Sequence, residues 1–431
     1  MKKFMAVIIL SGALIGNAVF AAEDKAGWQY KLSFDERFRV EYKQDFDFNE
    51  STKDNGSQFY NRFRLGIGAS LADESLKPKL DIFVEGLDAQ TGGYQSKANA
   101  GQTDDFDLHQ AYVNIHNIFG SDFDIKTGRQ ELKYGKYRLL DAPTWSNRVR
   151  SFDAGVLHYA HKGFYGDILY GQDVKFDDDK FNASRREEML AGTYFGFKKD
   201  KKTPVFEGYF LSLIDIKGTN DIHRYTGGAR LQANIAGGTV VDIEFPYQFG
   251  ETGTTTAGTK DIRAYAFHAD VSKSFENMKW KPKFALAYDE ASGDKDPNDS
   301  VSNTFIPLYQ STHAPYGLLD FFRWQNMRNP EINVTFSPTE KFRFTPQIDF
   351  YWLQSKFDSW YNSSGTAVRS KTSGERQYYV GSELSLRASY DFNKFFKWES
   401  GYAHFFVGGY LGDSGANDDA DWVYSQISFK Y

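Results

Sequence analysis

Apolar and polar residues alternate through the C-terminal end of the chain. Val423, Ile427, Phe429 and Tyr431 fall on one face of an extended segment, with Ser425 as the one polar member of that face. A period of two is typical of a strand that presents one face to an apolar environment and the other to water. Because edge strands of soluble sheets alternate too, the meaning of this segment depends on the rest of the chain.

The same alternation recurs in about eighteen segments of roughly 9 to 15 residues, each bounded by turn-forming residues. The predicted strands are 29–43, 58–72, 78–90, 106–118, 122–134, 151–161, 163–173, 187–199, 202–216, 222–235, 238–250, 260–274, 279–291, 329–337, 341–354, 376–390, 396–410 and 419–431. Together they occupy the chain after its first residues and leave no room for a second domain.

The connections between these strands alternate in length. The long ones are 44–57, 91–105, 135–150, 174–186, 251–259, 292–328, 355–375 and 411–418, and the intervening ones are short. Short turns at one end and long loops at the other are typical of an outer-membrane barrel with both termini in the periplasm. The pattern therefore predicts an all-β fold: a single antiparallel transmembrane β-barrel of about 18 strands, with short periplasmic turns and long extracellular loops.

The N-terminal residues predict export. Lys2 and Lys3 precede an apolar run over 4–15, and small residues lead to Ala21. These features indicate a secretory signal peptide at 1–21, followed by the barrel at 22–431. The alternative, a membrane anchor, is disfavoured because the apolar run is shorter than the roughly 20 residues that span a bilayer.

Composition agrees with a barrel and narrows the chemistry. The mean hydropathy of −0.56 leaves no later segment apolar enough for a transmembrane helix, so a membrane protein of this polarity must span with strands. Aromatic residues make up 17% of the chain, as expected for two interfacial girdles. The absence of cysteine excludes disulfides and thiolate sites, and the net charge of −6 argues against nucleic-acid binding.

Alternation also assigns side chains to the lumen. In the second predicted strand Phe63, Leu65 and Ile67 share one face, so Arg62 and Arg64 lie on the other, and charge facing lipid is costly. The same rule turns further side chains inward. The resulting lumen assignments are Arg37, Arg39, Arg62, Arg64, Arg230, Arg343, Asp349, Glu383 and Arg387. A barrel this wide cannot be filled by its own side chains, so it should enclose a water-filled path.

The inward arginines have two interpretations. They could form a wall that attracts anions, as rings of Arg or Lys do in anion pores. Alternatively they could pair with inward acids and stiffen the wall. The candidate partners are Asp35, Glu41, Asp81, Glu85, Asp349 and Glu383.

The sequence contains no pattern that indicates catalysis or metal binding. His158 and His161, the closest pair of histidines, lie three residues apart on a predicted strand, so their rings point to opposite faces. No His, Asp or Glu group has ligand spacing on one face, and neither a nucleophile elbow nor a phosphate-binding glycine loop is present. We therefore expect no enzyme activity, no cofactor and no metal site.

One stretch carries a family resemblance. Segment 127–140, with 145–147 and 150–153 after it, resembles the signature of the alginate-export family of outer-membrane proteins. Segments 316–320 and 381–384 are similar to that family too. The resemblance implies an 18-stranded barrel in the cell outer membrane that passes an anionic, alginate-like exopolysaccharide by passive export. It also implies an electropositive lumen that favours uronate carboxylates.

The signature adds Gln130 and Arg129 to the candidate lumen residues. Gln130 turns inward by alternation, whereas Arg129 falls on the lipid side. Because the family places an arginine in this motif, a bulge near Gly128 is expected to bring Arg129 into the lumen, although it could also snorkel to the interface. The loop after it, 135–150, is expected to be external, with folding into the mouth as the alternative, and Arg138, Arg148 and Arg150 are expected to be solvated. Constriction is expected above all from 292–328 and 355–375.

The expected partners are outer-membrane lipid, an anionic polysaccharide or small solute, the barrel-assembly machinery and periplasmic export components. The alternative function is a general or substrate-specific porin that takes up small solutes, since the same barrel and charges would serve it.

Overall fold

A computed structural model describes residues 27–52, 54–72, 78–93, 102–178, 180–200, 203–311, 313, 315–369 and 377–431. The predicted signal peptide at 1–21 lies outside these residues. Eighteen strands form one closed antiparallel barrel, which confirms the predicted fold class. They are β1 (Trp28–Gln44), β2 (Gly56–Ala72), β3 (Pro78–Gly93), β4 (Asp104–Ile115), β5 (Phe123–Gln130), β6 (Phe152–His161), β7 (Phe164–Lys175), β8 (Glu188–Phe197), β9 (Val205–Asp215), β10 (Asn220–Ile235), β11 (Thr239–Thr254), β12 (Gly258–Ser274), β13 (Lys283–Ala291), β14 (Met327–Thr335), β15 (Phe342–Trp352), β16 (Tyr379–Asp391), β17 (Phe396–Val407) and β18 (Ala420–Lys430).

Each strand pairs with the next, and the C-terminal strand closes the barrel. In the closing pair, Asp35 of β1 lies opposite Lys430 of β18, and Gln44 lies opposite Asp421. Closure leaves no unpaired strand edge, which a bilayer would not tolerate. Within the described ranges, no helix is long and apolar enough to cross a membrane.

Connections after odd-numbered strands define one rim, here the long-loop rim, and those after even-numbered strands define the short-turn rim. One predicted long loop is wrong: β11 and β12 extend toward each other until only 255–257 remains between them. Pairing continues to Thr254 opposite Gly258, because the polar sequence 251–259 forms a two-stranded extension beyond the apolar belt. Four short strands lie within the longer connections: Ala183–Ser184, Val301–Ser302, Trp360–Tyr361 and Ala367–Arg369.

Long-loop connections fill the mouth of the barrel. Buried aromatic side chains from 292–326 and from the described part of 353–378 pack on the inner wall, together with buried leucines and partly buried aromatic residues from 131–151. Phe322 stacks on Tyr351 of β15 with ring centroids 3.8 Å apart, and Trp360 donates its Nε1 hydrogen to the carbonyl oxygen of Phe321. The apolar core of this protein therefore lies inside the barrel, between loops and wall.

The outer face is apolar, as alternation predicted. Leu65 and Ile67 of β2 are exposed on it, whereas Arg62 and Arg64 of the same strand are buried on the inner face. Ile235, the last residue of β10, is exposed at the short-turn rim.

Placing a charge on the outer face tests whether this face contacts the hydrocarbon core of the membrane. Leu65→Arg, near the middle of β2, should lower the free energy of unfolding in lipid by about 2–4 kcal/mol, whereas Ile235→Arg at the rim should cost only about 0–1 kcal/mol. Reversible denaturant unfolding in lipid vesicles measures both. Equal costs at the two positions would contradict the placement of the apolar belt.

Candidate functional site

Four arginines are buried side by side on the inner face of β1 and β2. Arg37 and Arg39 belong to β1, and Arg62 and Arg64 belong to β2. The strand register places Arg37 directly opposite Arg62. Like charges opposite each other on a sheet repel, so each guanidinium needs acceptors close by.

A segment of the 131–151 connection supplies many of these acceptors. Arg37 donates to the carbonyl oxygens of Thr144 and Trp145, both at 2.8 Å. Arg62 donates to the same Thr144 oxygen at 2.6 Å, and Arg39 donates to the Trp145 oxygen at 2.8 Å. The arginines thereby hold residues 144–147 inside the barrel.

Asn147 fastens the other side of this segment. It is fully buried, and its Nδ2 donates to the carbonyl oxygens of Asn61 and Gln90, both at 3.1 Å. Its Oδ1 accepts a hydrogen bond from Arg37 at 3.2 Å. The segment is consequently fixed to β1, β2 and β3 at once.

Carboxylates neutralise three of the four arginines. Arg39 pairs with Glu41 at 2.7 Å, Arg62 with Asp35 at 3.3 Å and Arg64 with Glu85 at 2.6 Å. This is the arrangement expected if the arginines stiffen the wall. Arg37 differs, since no carboxylate of the described residues lies within ion-pairing distance of it, and its charge is met by carbonyl dipoles.

Glu131 extends the network from the first residue of the loop. It accepts hydrogen bonds from Arg64 at 2.8 Å and from His109 at 2.9 Å, and it also pairs with Lys133. Burial raises the pKa of Glu131, but the hydrogen bond with His109 and the charge of Arg64 together lower it by more than burial raises it. The pKa therefore lies below its usual value of 4.5. Glu131 is therefore ionised and ties the loop to the wall.

Aromatic rings surround the same point. The Trp145 indole stacks on the His313 ring, with centroids 3.7 Å apart, and the Arg39 guanidinium lies 3.8 Å from the indole centroid. Beside them is a cavity of about 620 Å³, within the range of about 300–1,000 Å³ that is usual for small-ligand sites. Its charged lining residues are Arg39, Lys43, Arg148, Arg150, Glu41 and Asp320.

The other predicted lumen residues are more widely spread. Gln130 is buried and donates to the Ala154 carbonyl oxygen at 3.0 Å. Arg230 is buried between Asp242 and Glu207 and pairs with both. Each of these side chains is satisfied by the wall itself.

Arg343 and Arg387 lie toward the short-turn rim. Arg343 is half-exposed and pairs with Asp391 at 2.7 Å. Arg387 is half-buried on the inner face of β16, and no ion pair joins it to a carboxylate of the described ranges. These two arginines are therefore separate from the group on β1 and β2.

Asp349 and Glu383 are fully buried on neighbouring strands, directly opposite each other. Glu383 accepts hydrogen bonds from the backbone N–H groups of Leu318 and Leu319, at 2.5 and 3.4 Å. The acid therefore docks the 292–326 connection onto the wall.

The structure contradicts the lumen assignment of Arg129. The pairing of β5 with β4 and with β6 continues past Gly128 without a bulge. The side chain of Arg129 therefore points outward, as those of Phe123 and Ile125 do. It pairs with Asp153, with Nε 2.8 Å from Oδ1, and donates to two backbone carbonyls. An ion pair near the rim makes the outward position tolerable, so no bulge is needed.

The expectation of solvated arginines in 135–150 is also wrong, most clearly for Arg138. Its side chain is buried and pairs with Glu244 of β11 at 2.9 Å, so the loop crosses the inner wall rather than standing outside. Arg150 lines the cavity, and Arg148 pairs with Asp178 at 3.2 Å. Arg138 and Arg150 belong to the signature segments, but loops have no periodicity that assigns a face.

Two groups of metal-ligating side chains form across strands, where spacing along one strand could not show them. They are Glu85, His109 and Glu131, and Asp242, His268 and Asp270. In the first group Arg64 already pairs with both glutamates, and in the second Arg230 pairs with Asp242. These carboxylates thus already have cationic partners.

A closed antiparallel barrel with an apolar outer face and charged groups along its inner face belongs to the outer-membrane channel class. More particularly, the alginate export family matches residues 29–424, so the chain belongs to that family and lies in the outer membrane. The long-loop rim then faces outside and the short-turn rim faces the periplasm.

Solved structures support the same architecture. Pseudomonas aeruginosa OpdK with vanillate is 10% identical, with a TM-score of 0.60 over 93% of this chain and 98% of that one. Acinetobacter baumannii OccAB1 is 11% identical, with a TM-score of 0.59 over 95% of this chain and 99% of that one. At such identities the likeness shows the fold alone. None of the curated proteins compared with this chain matches it.

The lowered pKa of Glu131 makes a pH-dependent prediction. Its ionised form stabilises the fold above the usual pKa of 4.5, and this contribution is lost as the pH falls toward the lower folded value. Glu131→Gln should therefore cost about 1.5–3 kcal/mol at pH 7, and the difference from wild type should shrink as the pH falls below 4.5. Thermal unfolding in detergent between pH 7 and pH 3 measures this. Glu340→Gln, at an exposed short turn, is the control and should show no such gap; a gap for Glu131→Gln that stays constant with pH would contradict the assignment.

Proposed function

We propose that this outer-membrane channel passes an anionic, alginate-like exopolysaccharide by passive export through a lumen lined by arginines. The observation that carries the proposal is the group of Arg37, Arg39, Arg62 and Arg64 on two adjacent strands, with Trp145 stacked over Arg39. Guanidinium groups match the two oxygens of a carboxylate, and the Trp145 indole, in contact with both the Arg39 guanidinium and the His313 ring, holds Arg39 in place. A uronate unit offers such a carboxylate.

The hydrogen bonds between the arginines and residues 144–146 suggest how such a unit passes. Arg37 and Arg62 now donate to the neutral carbonyl oxygens of residues 144–146. Hydrogen bonds to a carboxylate are roughly twice as strong as those to neutral acceptors. An arriving carboxylate can therefore compete with the loop for the guanidinium groups, and the loop can take them back when the unit moves on.

The proposal needs no catalytic step and no cofactor. It includes a signal peptide at 1–21 and insertion of the barrel, 22–431, into outer-membrane lipid by the barrel-assembly machinery. Periplasmic export components would deliver the polymer to the short-turn rim.

A second candidate function is uptake of a small anionic solute, and the packing of the mouth favours it. Three long-loop connections fill the mouth and leave a cavity of about 620 Å³, which suits a small ligand better than a polymer chain. OpdK, whose fold is similar, was solved with vanillate, a small carboxylate. The same arginines would serve this function.

Both candidate functions require a positively charged lumen, and ion selectivity tests this requirement. In planar bilayers under a salt gradient, the wild type should be anion-selective, and Arg37→Gln and Arg62→Gln should each lower the anion-to-cation permeability ratio about threefold, or about 0.7 kcal/mol. Arg263→Gln changes an exposed, outward arginine and should leave the ratio unchanged. A cation-selective wild type would contradict the proposal.

Block by uronates separates the two candidate functions. If the channel exports polymer, glucuronate oligomers should block the current at lower concentration as they lengthen. Trp145→Ala should weaken the block several-fold, because Arg39 loses the ring that holds it in place. If it takes up small solutes, the monomer should block as well as any oligomer. Single-channel recordings with oligomers of defined length decide between these outcomes.

A further inference from the structure

A second group of arginines lies inside the barrel, away from β1 and β2. Arg224 of β10 is buried, and its side chain donates from Nη1 to Gln248 Oε1, at 2.9 Å. Arg323 of the 292–326 connection donates to the Pro307 carbonyl oxygen at 2.9 Å. Among the described residues, neither arginine has a carboxylate within ion-pairing distance.

Arg150 reaches the same part of the 292–326 connection. It donates to the carbonyl oxygens of Asp141 and Tyr309, and its nearest carboxylate oxygen, on Asp173, is 3.8 Å away. Gln248, the acceptor of Arg224, also binds the backbone of Ile306, so the three arginines converge on residues 306–309. Burial together with the charge of Arg150 lowers the pKa of Arg323 to about 10. Buried positive charges that repel one another are costly unless an anion joins them.

The same connection holds an excess of donors. Among the described residues of this connection, Arg323 Nε, Trp324 Nε1, Gln310 Nε2 and the Tyr316 hydroxyl are all buried without a hydrogen-bond partner, against two such acceptors, Asp294 Oδ1 and Gln325 Oε1. The Gln310 side chain lies beside Arg323, because its Oε1 accepts from the Trp324 backbone N–H at 3.3 Å. Buried polar groups in folded proteins are nearly always satisfied, so several orphaned donors on one loop point to an absent acceptor.

The group adjoins the cavity beside Trp145. Arg150 lines that cavity together with Ser363 and Ser364. The next residue, Gly365, packs so closely on Arg323 that a Cβ there would lie 1.9 Å from Nη1. A solute in the cavity is thus one residue away from the Arg323 guanidinium.

We infer that Arg224 and Arg323, with Arg150 at the cavity edge, form a second binding site that takes a carboxylate of the passing solute. A carboxylate supplies only acceptors, carries the missing negative charge and fits the planar fork of a guanidinium. The inference deepens the proposed function and rests on it for the choice of a uronate. In the first arginine group Arg39, Arg62 and Arg64 already pair with Glu41, Asp35 and Glu85. In the second group, neither Arg224 nor Arg323 pairs with a carboxylate of the described residues.

Thermal unfolding of the full chain in detergent tests the site. Sodium glucuronate should raise the Tm of the wild type saturably, by at least about 2 °C, over the value in an equal concentration of glucose at the same ionic strength. Arg224→Gln and Arg323→Gln should lose this rise, and Arg263→Gln should keep it. A wild type that responds equally to glucuronate and glucose, or variants that respond like the wild type, would overturn the site.

A charge-retaining variant and a bilayer measurement guard against misfolding of Arg323→Gln and against confusion with the proposed function. Arg323→Lys retains the charge, so it should keep part of the rise even if Arg323→Gln does not fold. The ion selectivity of the wild type in planar bilayers then distinguishes a failure of this second site from a failure of the proposed function. An anion-selective wild type without the glucuronate effect overturns the second site alone, whereas the effect in a cation-selective pore overturns the proposed function alone.

Discussion

Buried guanidinium groups on β1 and β2 hold residues 144–147 inside the barrel through hydrogen bonds to their carbonyl oxygens. The contact joins residues more than 80 positions apart in the sequence. It fixes the position of Trp145, and with it the stack on His313 and one wall of the cavity. Because unsatisfied buried arginines are costly, the loop and the arginines stabilise each other.

The barrel makes this contact necessary. Eighteen strands enclose more space than their inward side chains can fill, so loops must pack inside or water must enter. Here the long-loop connections supply an aromatic core, and inward polar side chains anchor them: Glu383 binds the backbone of Leu318 and Leu319, and Gln248 binds both backbone groups of Ile306. The charges of the inner wall thus position the loops as well as facing the solute.

Strand positions and most inward side chains could be predicted from sequence, because a period of two is local and a charge facing lipid is costly. Arg62 and Arg64 follow from their apolar neighbours, and Arg224 has the same parity as Arg230, so alternation could have found it. Arg129 was misplaced because a family motif was given more weight than its parity. Arg138 and Trp145 could not be placed, since loop contacts with distant strands leave no periodic trace.

The central claim is a positive field in the cavity beside the arginines of β1 and β2, and a charged thiol probe measures it most directly. The chain has no cysteine, so Ser146→Cys places a single thiol at the cavity next to the arginines. Anionic and cationic methanethiosulfonate reagents of similar size are compared in the membrane-embedded protein, each rate being divided by that of a free thiol in solution. The account predicts that the anionic reagent reacts faster by about tenfold, roughly 1.4 kcal/mol, and that Arg37→Gln reduces the difference. Equal rates, or a faster cationic reagent, would contradict it.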